Sequence, residues 1–248
     1  MVSGLKTSAA AMDAQNERLS VLANNLANVG TVGFKADGLA FFQLLTSPRA
    51  AGSVSPTDPA APPMEAGIQA RIDFDNGAIR DTGNPLDVAL ESPGFFAVGD
   101  AKNPRLTRAG NFTRGESGQL ETLDGKPVLS DGRQPIQIAQ GGRITIDETG
   151  DVLVDGSSVG RIGVFDVKNR AALTRDGGAR FVVPQGVALT PAENVKVKQG
   201  GIEQSNVNPV VTLVEMIDAL RVYEAASKAA KGIDETLSRA VGDVGRTS

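Results

Sequence analysis

A helical apolar repeat runs along each end of this chain, and nothing comparable lies between them. In the amino-terminal repeat, Leu5, Met12, Leu19 and Leu26 recur every seven residues. Ala9, Leu22 and Val29 partly fill the intermediate positions, and Gly30 ends the pattern. At the far end Asn208 and Pro209 supply an N-cap and a first helical position. Val210, Leu213, Ile217, Leu220, Tyr223, Ala230, Ile233, Leu237 and Val241 then step by threes and fours with one wider gap, up to Gly242. A narrow apolar stripe on a lone helix stays wet unless another helix covers it, and each large side chain left exposed forgoes about 1.5–3 kcal/mol. The two ends are therefore expected to meet. A two-helix pair has no closed core, so neighbouring copies of the chain are expected to complete the cover. An intramolecular pair packed on the middle of the chain satisfies the same pattern.

That middle reads as β structure and turns. Residues 47–63, SPRAAGSVSPTDPAAPP, hold five prolines and almost nothing large and apolar, which predicts a semi-extended linker. Short β-branched or aromatic runs then follow at 68–74, 85–90, 94–98, 105–109, 143–146, 152–154, 161–167 and 195–198. Asp124-Gly125, Asp131-Gly132 and Asp155-Gly156 are hairpin-favouring dipeptides, and Asn76-Gly77 follows the alternating Ile68, Ala70, Ile72 and Phe74. The expected class is α+β, with long N- and C-terminal helices packing as a coiled-coil-like pair and an antiparallel all-β domain inserted between them. The expected divisions are 1–46 for the first helix and its following turn, 47–66 for the linker, 67–201 for the β domain and 202–248 for the second helix.

Composition removes most chemistry. The 248 residues include no His and no Cys, so Ser-His-Asp and Cys-His catalysis, thiol redox and the usual zinc sites are out of reach. With 25 Lys+Arg against 29 Asp+Glu the charge is −4 and spread along the chain, which gives no footprint for nucleic acid or anionic lipid. No apolar run approaches the roughly 18 residues of a membrane span, and the first twenty residues lack an apolar core followed by a cleavage site. The chain is expected neither to insert into a membrane nor to carry a cleaved signal. Gly156-Ser157-Ser158-Val159-Gly160 matches a nucleophile elbow only in outline, for it lacks a following helix and a base. Asp73 and Asp75 read as a solvated strand face, and Asp147-Glu148-Thr149-Gly150-Asp151 as an acidic hairpin tip. No catalytic residue, cofactor or metal site is expected.

Asn24, Asn25 and Asn28 crowd the last turns of the first helix, where their side chains can bond backbone groups as the helix gives way. Here the sequence becomes recognisable. Leu22-Ala23-Asn24-Asn25-Leu26-Ala27-Asn28-Val29-Gly30-Thr31-Val32-Gly33-Phe34-Lys35 resembles the amino-terminal signature of the bacterial flagellar rod, hook and axial proteins. Thr82-Gly83-Asn84-Pro85-Leu86-Asp87-Val88-Ala89-Leu90 with Pro93-Gly94-Phe95-Phe96-Ala97-Val98 resembles the start of that family's β domain, Pro93 being a departure. Leu106-Thr107-Arg108-Ala109-Gly110-Asn111-Phe112 resembles its T-R-x-G-x-F element, with Leu106 where an aromatic is common, and residues 118–125 resemble the next hairpin. Glu203-Gln204-Ser205-Asn206-Val207 and residues 216–224 resemble the carboxy-terminal signature.

The resemblance implies a structural subunit whose terminal helices pack with those of neighbours into a hollow helical tube, the β domain decorating its outer layer. Such a tube is the drive-shaft from motor to hook, and its subunits are exported by the flagellar type III apparatus without a cleaved signal, into the periplasmic rod of the basal body. Implied partners are copies of the chain, other rod proteins and the export apparatus. Length, Pro93, Leu106 and the Pro-rich stretch favour the proximal rod type that carries a β domain, with the distal type as the alternative within the family. A secreted β-domain binding module is the alternative outside it. The expected self-assembly residues are Leu5, Met12, Leu19, Leu22, Asn24, Asn25, Leu26, Asn28, Gly33, Phe34, Val210, Leu213, Ile217, Leu220, Tyr223, Ile233 and Leu237.

Overall fold

The computed structural model describes residues 2–44, 65–139 and 141–244. The expected Pro-rich linker falls outside the described residues up to position 64, as do the side chains of Leu5 and Leu237. Two α-helices are present among the described residues, α1 (Val2–Ala27) and α2 (Pro209–Val244), one near each end of the chain. α2 starts at Pro209, whose fixed φ and missing N–H suit a first helical position. After α1 comes β1 (Asp37–Leu44), paired antiparallel with β2 (Glu65–Ile72) from Asp37 opposite Ile72 to Leu44 opposite Glu65. The sequence reading leaves 37–44 in a turn and starts the β region at 67. Instead the apolar run Leu39-Ala40-Phe41-Phe42 finds a strand partner, and that partner begins at Glu65.

The chain forms two compact units. One comprises Met1–Leu26, Asp37–Ile72 and Pro209–Ser248, and so holds both helices and the β1–β2 ribbon. Its helices run antiparallel. Gly4, early in α1, lies against Ile233, late in α2, where a Cβ on the glycine would sit 3.2 Å from Ile233 Cδ1. Buried Leu22 and Asn25 fall late in α1, and buried Thr212 and Ala219 fall early in α2. At the foot of α1, Asn25 pairs with the backbone of Asp37, its Nδ2 donating to the carbonyl and its Oδ1 accepting from the N–H, both at 2.8 Å.

The other unit comprises Ala27–Ala36 and Asp73–Asn208. In chain order it contains β3 (Ile79–Asp81), β4 (Val88–Leu90), β5 (Phe95–Gly99), β6 (Pro104–Thr107), β7 (Phe112–Arg114), β8 (Leu120–Thr122), β9 (Ile144–Ile146), β10 (Asp151–Val154), β11 (Ser157–Arg161), β12 (Val164–Val167), β13 (Thr174–Arg175), β14 (Arg180–Val182), β15 (Leu189–Pro191), β16 (Val197–Gln199) and β17 (Gly201–Glu203). It has a six-stranded sheet in the order β13-β14-β6-β5-β12-β15, a three-stranded sheet β11-β10-β9 and the two-stranded pairs β16-β4, β17-β3 and β7-β8. Every pairing is antiparallel. The core gathers Val88, Phe96, Phe112, Leu120, Val128, Ile136 and Val152, with Phe96 and Phe112 edge to face at 5.1 Å. A second aromatic group, Phe74, Phe95 and Phe181, packs edge to face at 5.3–5.7 Å.

Candidate assembly site

The short segment 27–36 leaves α1 and enters the β unit, where later residues take up its polar groups one after another. Gly33 N–H donates to the Glu203 carbonyl at 2.8 Å, and the Phe34 carbonyl accepts from Asn206 N–H at 3.3 Å. The Lys35 carbonyl accepts from Arg175 Nη2 at 2.6 Å. Ala36 N–H donates to Asn206 Oδ1 at 2.7 Å, and its carbonyl accepts from Asp73 N–H at 2.8 Å. The Arg175 guanidinium also lies 4.4 Å over the Phe34 ring, a cation–π contact on a fully buried aromatic. Gly33 sits at φ +66°, and a Cβ there would lie 2.3 Å from Ala109 N, so both its handedness and its contact with the chain after Arg108 require glycine.

Beneath this segment lies a cluster of buried charge. Lys35 Nζ donates to Glu203 Oε1 at 2.5 Å and to the Asp75 carbonyl at 2.6 Å, with side-chain exposures of 0% for Lys35 and 1% for Glu203. The same Oε1 accepts from Gly77 N–H at 3.0 Å. Arg108 Nε stands 3.3 Å from Glu203 Oε2 as an ion pair, while its Nη1 and Nη2 donate to the Ser92 carbonyl at 3.0 Å and Asn76 Oδ1 at 2.5 Å. Burial pushes the Lys35 ammonium below its ordinary value, more strongly than the hydrogen bond and charge of Glu203 raise it. Burial also lowers Arg108, against the attraction of Glu203. One carboxylate thus ties together three segments that lie far apart in the sequence. The amino-terminal signature, the T-R-x-G-x-F element and the carboxy-terminal signature each contribute one charged residue to the cluster.

The residues expected to drive self-assembly fall into distinct places. Gly33 and Phe34 are occupied inside the chain's own β unit, and Asn25 is buried on the Asp37 backbone. Asn28 accepts from the Thr31 hydroxyl at 3.0 Å, and Asn24 is exposed. Leu22 is buried, while Met12, Leu19, Leu26, Tyr223 and Ile233 are half-buried. Val210, Leu213, Ile217 and Leu220 point to solvent, at 69%, 46%, 50% and 45% exposure. The face of α2 that is covered within the chain is a different one. It runs through Thr212, Met216, Ala219, Tyr223, Ala226, Ala230 and Ile233 in alternating steps of four and three. At 3.6 residues per turn the exposed set, with Val214, is centred about 130° round the helix from it, Leu213 and Leu220 flanking it. α2 thus carries an inner stripe that mixes small residues with Met216, Tyr223 and Ile233, and an outer one of Val, Leu and Ile.

Residues 5–35 match the family described as flagella basal body rod protein, 89–154 the D1 domain of flagellar hook protein FlgE/F/G, and 198–242 the carboxy-terminal region of flagellar basal body rod FlgEFG protein. A flagellar basal-body rod protein FlgF of Caulobacter vibrioides is 33% identical over 229 residues, covering 92% of each chain. The chain belongs to the flagellar basal-body rod protein family. Another relative, FlgF of Salmonella typhimurium, is 32% identical over 247 residues, 93% of this chain and 94% of its own. FlgG of Agrobacterium fabrum is 31% identical over 261 residues, covering 94% and 96%. The three matched segments of this rod family include Lys35, Arg108 and Glu203 respectively, so the buried cluster joins all three. The outer stripe of α2 lies inside the carboxy-terminal match.

Proposed function

We propose that the chain is a structural subunit of the flagellar basal-body rod that polymerises through its terminal helices, and that it acts in the proximal rod. The observation that carries this reading is the outer stripe of α2, a row of Val, Leu and Ile left in water beside an inner stripe already covered. The inner stripe's three-four spacing supports a coiled-coil-like pairing of α1 and α2, with an antiparallel β domain inserted between them in the sequence. Neighbouring subunits bring further helices to the outer stripe of α2 and to Leu5, Met12, Leu19, Leu26 and Leu237, building the hollow shaft that carries torque from motor to hook. Contacts of this head-to-tail kind extend into a filament instead of closing. The flagellar export apparatus delivers the chain to the periplasmic rod without a cleaved signal.

A distal position within the same rod family is the second reading. Quantitative mass spectrometry of detergent-washed hook-basal bodies, counting this chain against hook protein and the other rod subunits, tests both. A handful of copies per basal body is the result expected for the proximal rod. Several-fold more moves the chain to the distal rod, and its absence overturns the rod reading.

A further inference from the structure

The chain passes between its two units after residues 26, 36, 72 and 208. Three of these four crossings converge on one side chain, that of Asn206. Its Oδ1 accepts from the N–H of Ala36, the last residue before the second crossing, at 2.7 Å. Its Nδ2 donates to the carbonyls of Asp73, the first residue after the third crossing, and of Asp75, at 3.1 and 3.2 Å. Asn206 itself stands just before the fourth, and its own N–H reaches the Phe34 carbonyl at 3.3 Å. Ala36 and Asp73 are also bonded directly, Asp73 N–H to the Ala36 carbonyl at 2.8 Å. A carboxamide is the one side-chain group that meets this demand at this length, because it offers an acceptor at one end and two donors at the other.

We propose that Asn206 is a clamp that holds three of the chain's four crossings between the units at one place, so that force applied to the terminal helices converges on one hydrogen-bonded knot. The force-carrying part rests on the rod reading above, whereas the clamp itself does not. Glu203 anchors the knot from below by holding Lys35 and the Gly77 N–H on one carboxylate oxygen. The chemistry makes a sharp demand on substitution. Asn206→Asp has nearly the same shape and keeps the acceptor for Ala36, yet it turns a carboxylate oxygen toward the Asp73 and Asp75 carbonyls. A residue that merely fills space tolerates that exchange, and a clamp does not.

The test is amide hydrogen exchange by NMR on the full-length chain and on its N206D and N206A variants at neutral pH. Exchange at Ala36 and Asp73 is expected to accelerate at least tenfold in both variants, with N206D no milder than N206A. The Leu120 and Ile136 amides in the core serve as unchanged references. Unchanged protection at Ala36 and Asp73, or an N206D chain that behaves as wild type, overturns the clamp. Should either variant fail to fold, the wild-type chain decides: the Asn206 side-chain amide protons are expected to be protected from exchange, and free exchange overturns the proposal. In cells, N206D basal bodies are expected to break at the rod more often in viscous medium than wild type. Equal breakage overturns the force-carrying role. Protected amides in a chain absent from rods sink the rod reading alone.

Discussion

Glu203 brings one negative charge to two buried cations, and removing that charge is costlier than removing the whole arrangement. Glu203→Gln is expected to destabilise the β unit by about 3–5 kcal/mol, because it leaves Lys35 and Arg108 without their anion. The K35M/E203Q double variant is expected to be more stable than E203Q alone, since it withdraws one uncompensated cation as well. Urea denaturation of the four chains of that cycle measures the difference. Gly33→Ala is expected to cost several kcal/mol by the same assay, for it adds an unfavourable φ to a Cβ 2.3 Å from Ala109 N. Lys35, Arg108 and Glu203 all stand inside the sequence motifs quoted above. Their convergence was not legible there, because Lys35 and Glu203 are 168 residues apart and no period or spacing links such a pair. Asn25 is the opposite case. Its bond to a nearby backbone follows from a short polar side chain placed where a helix ends.

Local turn chemistry makes some elements readable and leaves others hidden. Asp155 and Gly156 both take positive φ, 50° and 83°, and join β10 to β11 as an Asp-Gly hairpin should. Asn76-Gly77 has the same kind of sequence signal but forms no hairpin. Gly77 is instead pressed against the chain near β17, where a Cβ would lie 1.9 Å from the Gln204 carbonyl oxygen, and Asn76 receives Arg108. Short strands such as β14 and β17 carry no alternation of their own and exist because distant β6 and β3 pair with them. On α2 the sequence pattern favours the larger aliphatic residues, whereas the buried positions of the helix among the described residues are Thr212 and Ala219. Ala219 is fully buried, so Ala219→Leu is expected to cost about 1–3 kcal/mol through overpacking. Leu220→Asp is expected to stay within about 0.5 kcal/mol, both read by denaturation followed in the far-ultraviolet.

The β10–β11 hairpin also has a defined acid limit. The hydrogen bond and charge of Arg161 hold the Asp151 carboxyl below the usual range. At Asp147 burial pushes upward, but bonds from Thr149 and from the backbone N–H groups of Asp151, Thr149 and Gly150 together win, and its carboxyl also lies low. A carboxyl depressed on folding adds stability above its unfolded value and loses it as pH falls through the folded one. Amide protection in this hairpin is expected to hold from neutral pH down to about 3.9, the ordinary value for Asp, and to fade below it. Fading that begins well above that point contradicts the assignment.

For the whole molecule the decisive balance is between the outer stripe of α2 and the cost of association. Val210, Leu213, Val214, Ile217 and Leu220 are each about half exposed, so covering them returns about 1 kcal/mol apiece, or about 5 kcal/mol together. Joining two chains costs roughly 4–15 kcal/mol in lost freedom. One such contact offsets only the low end of that cost, while a subunit met by several neighbours at once is held firmly. This favours an assembly that forms cooperatively or not at all. The most direct measurement follows the full-length Ile217→Asp chain in two places: its unfolding as a purified monomer, and its abundance in basal bodies isolated from cells that make no wild-type copy. Monomer stability within about 0.5 kcal/mol of wild type, together with loss of the chain from the rod, is the predicted result. A variant incorporated at wild-type abundance would contradict the assignment of the outer stripe as the surface on which the rod is built.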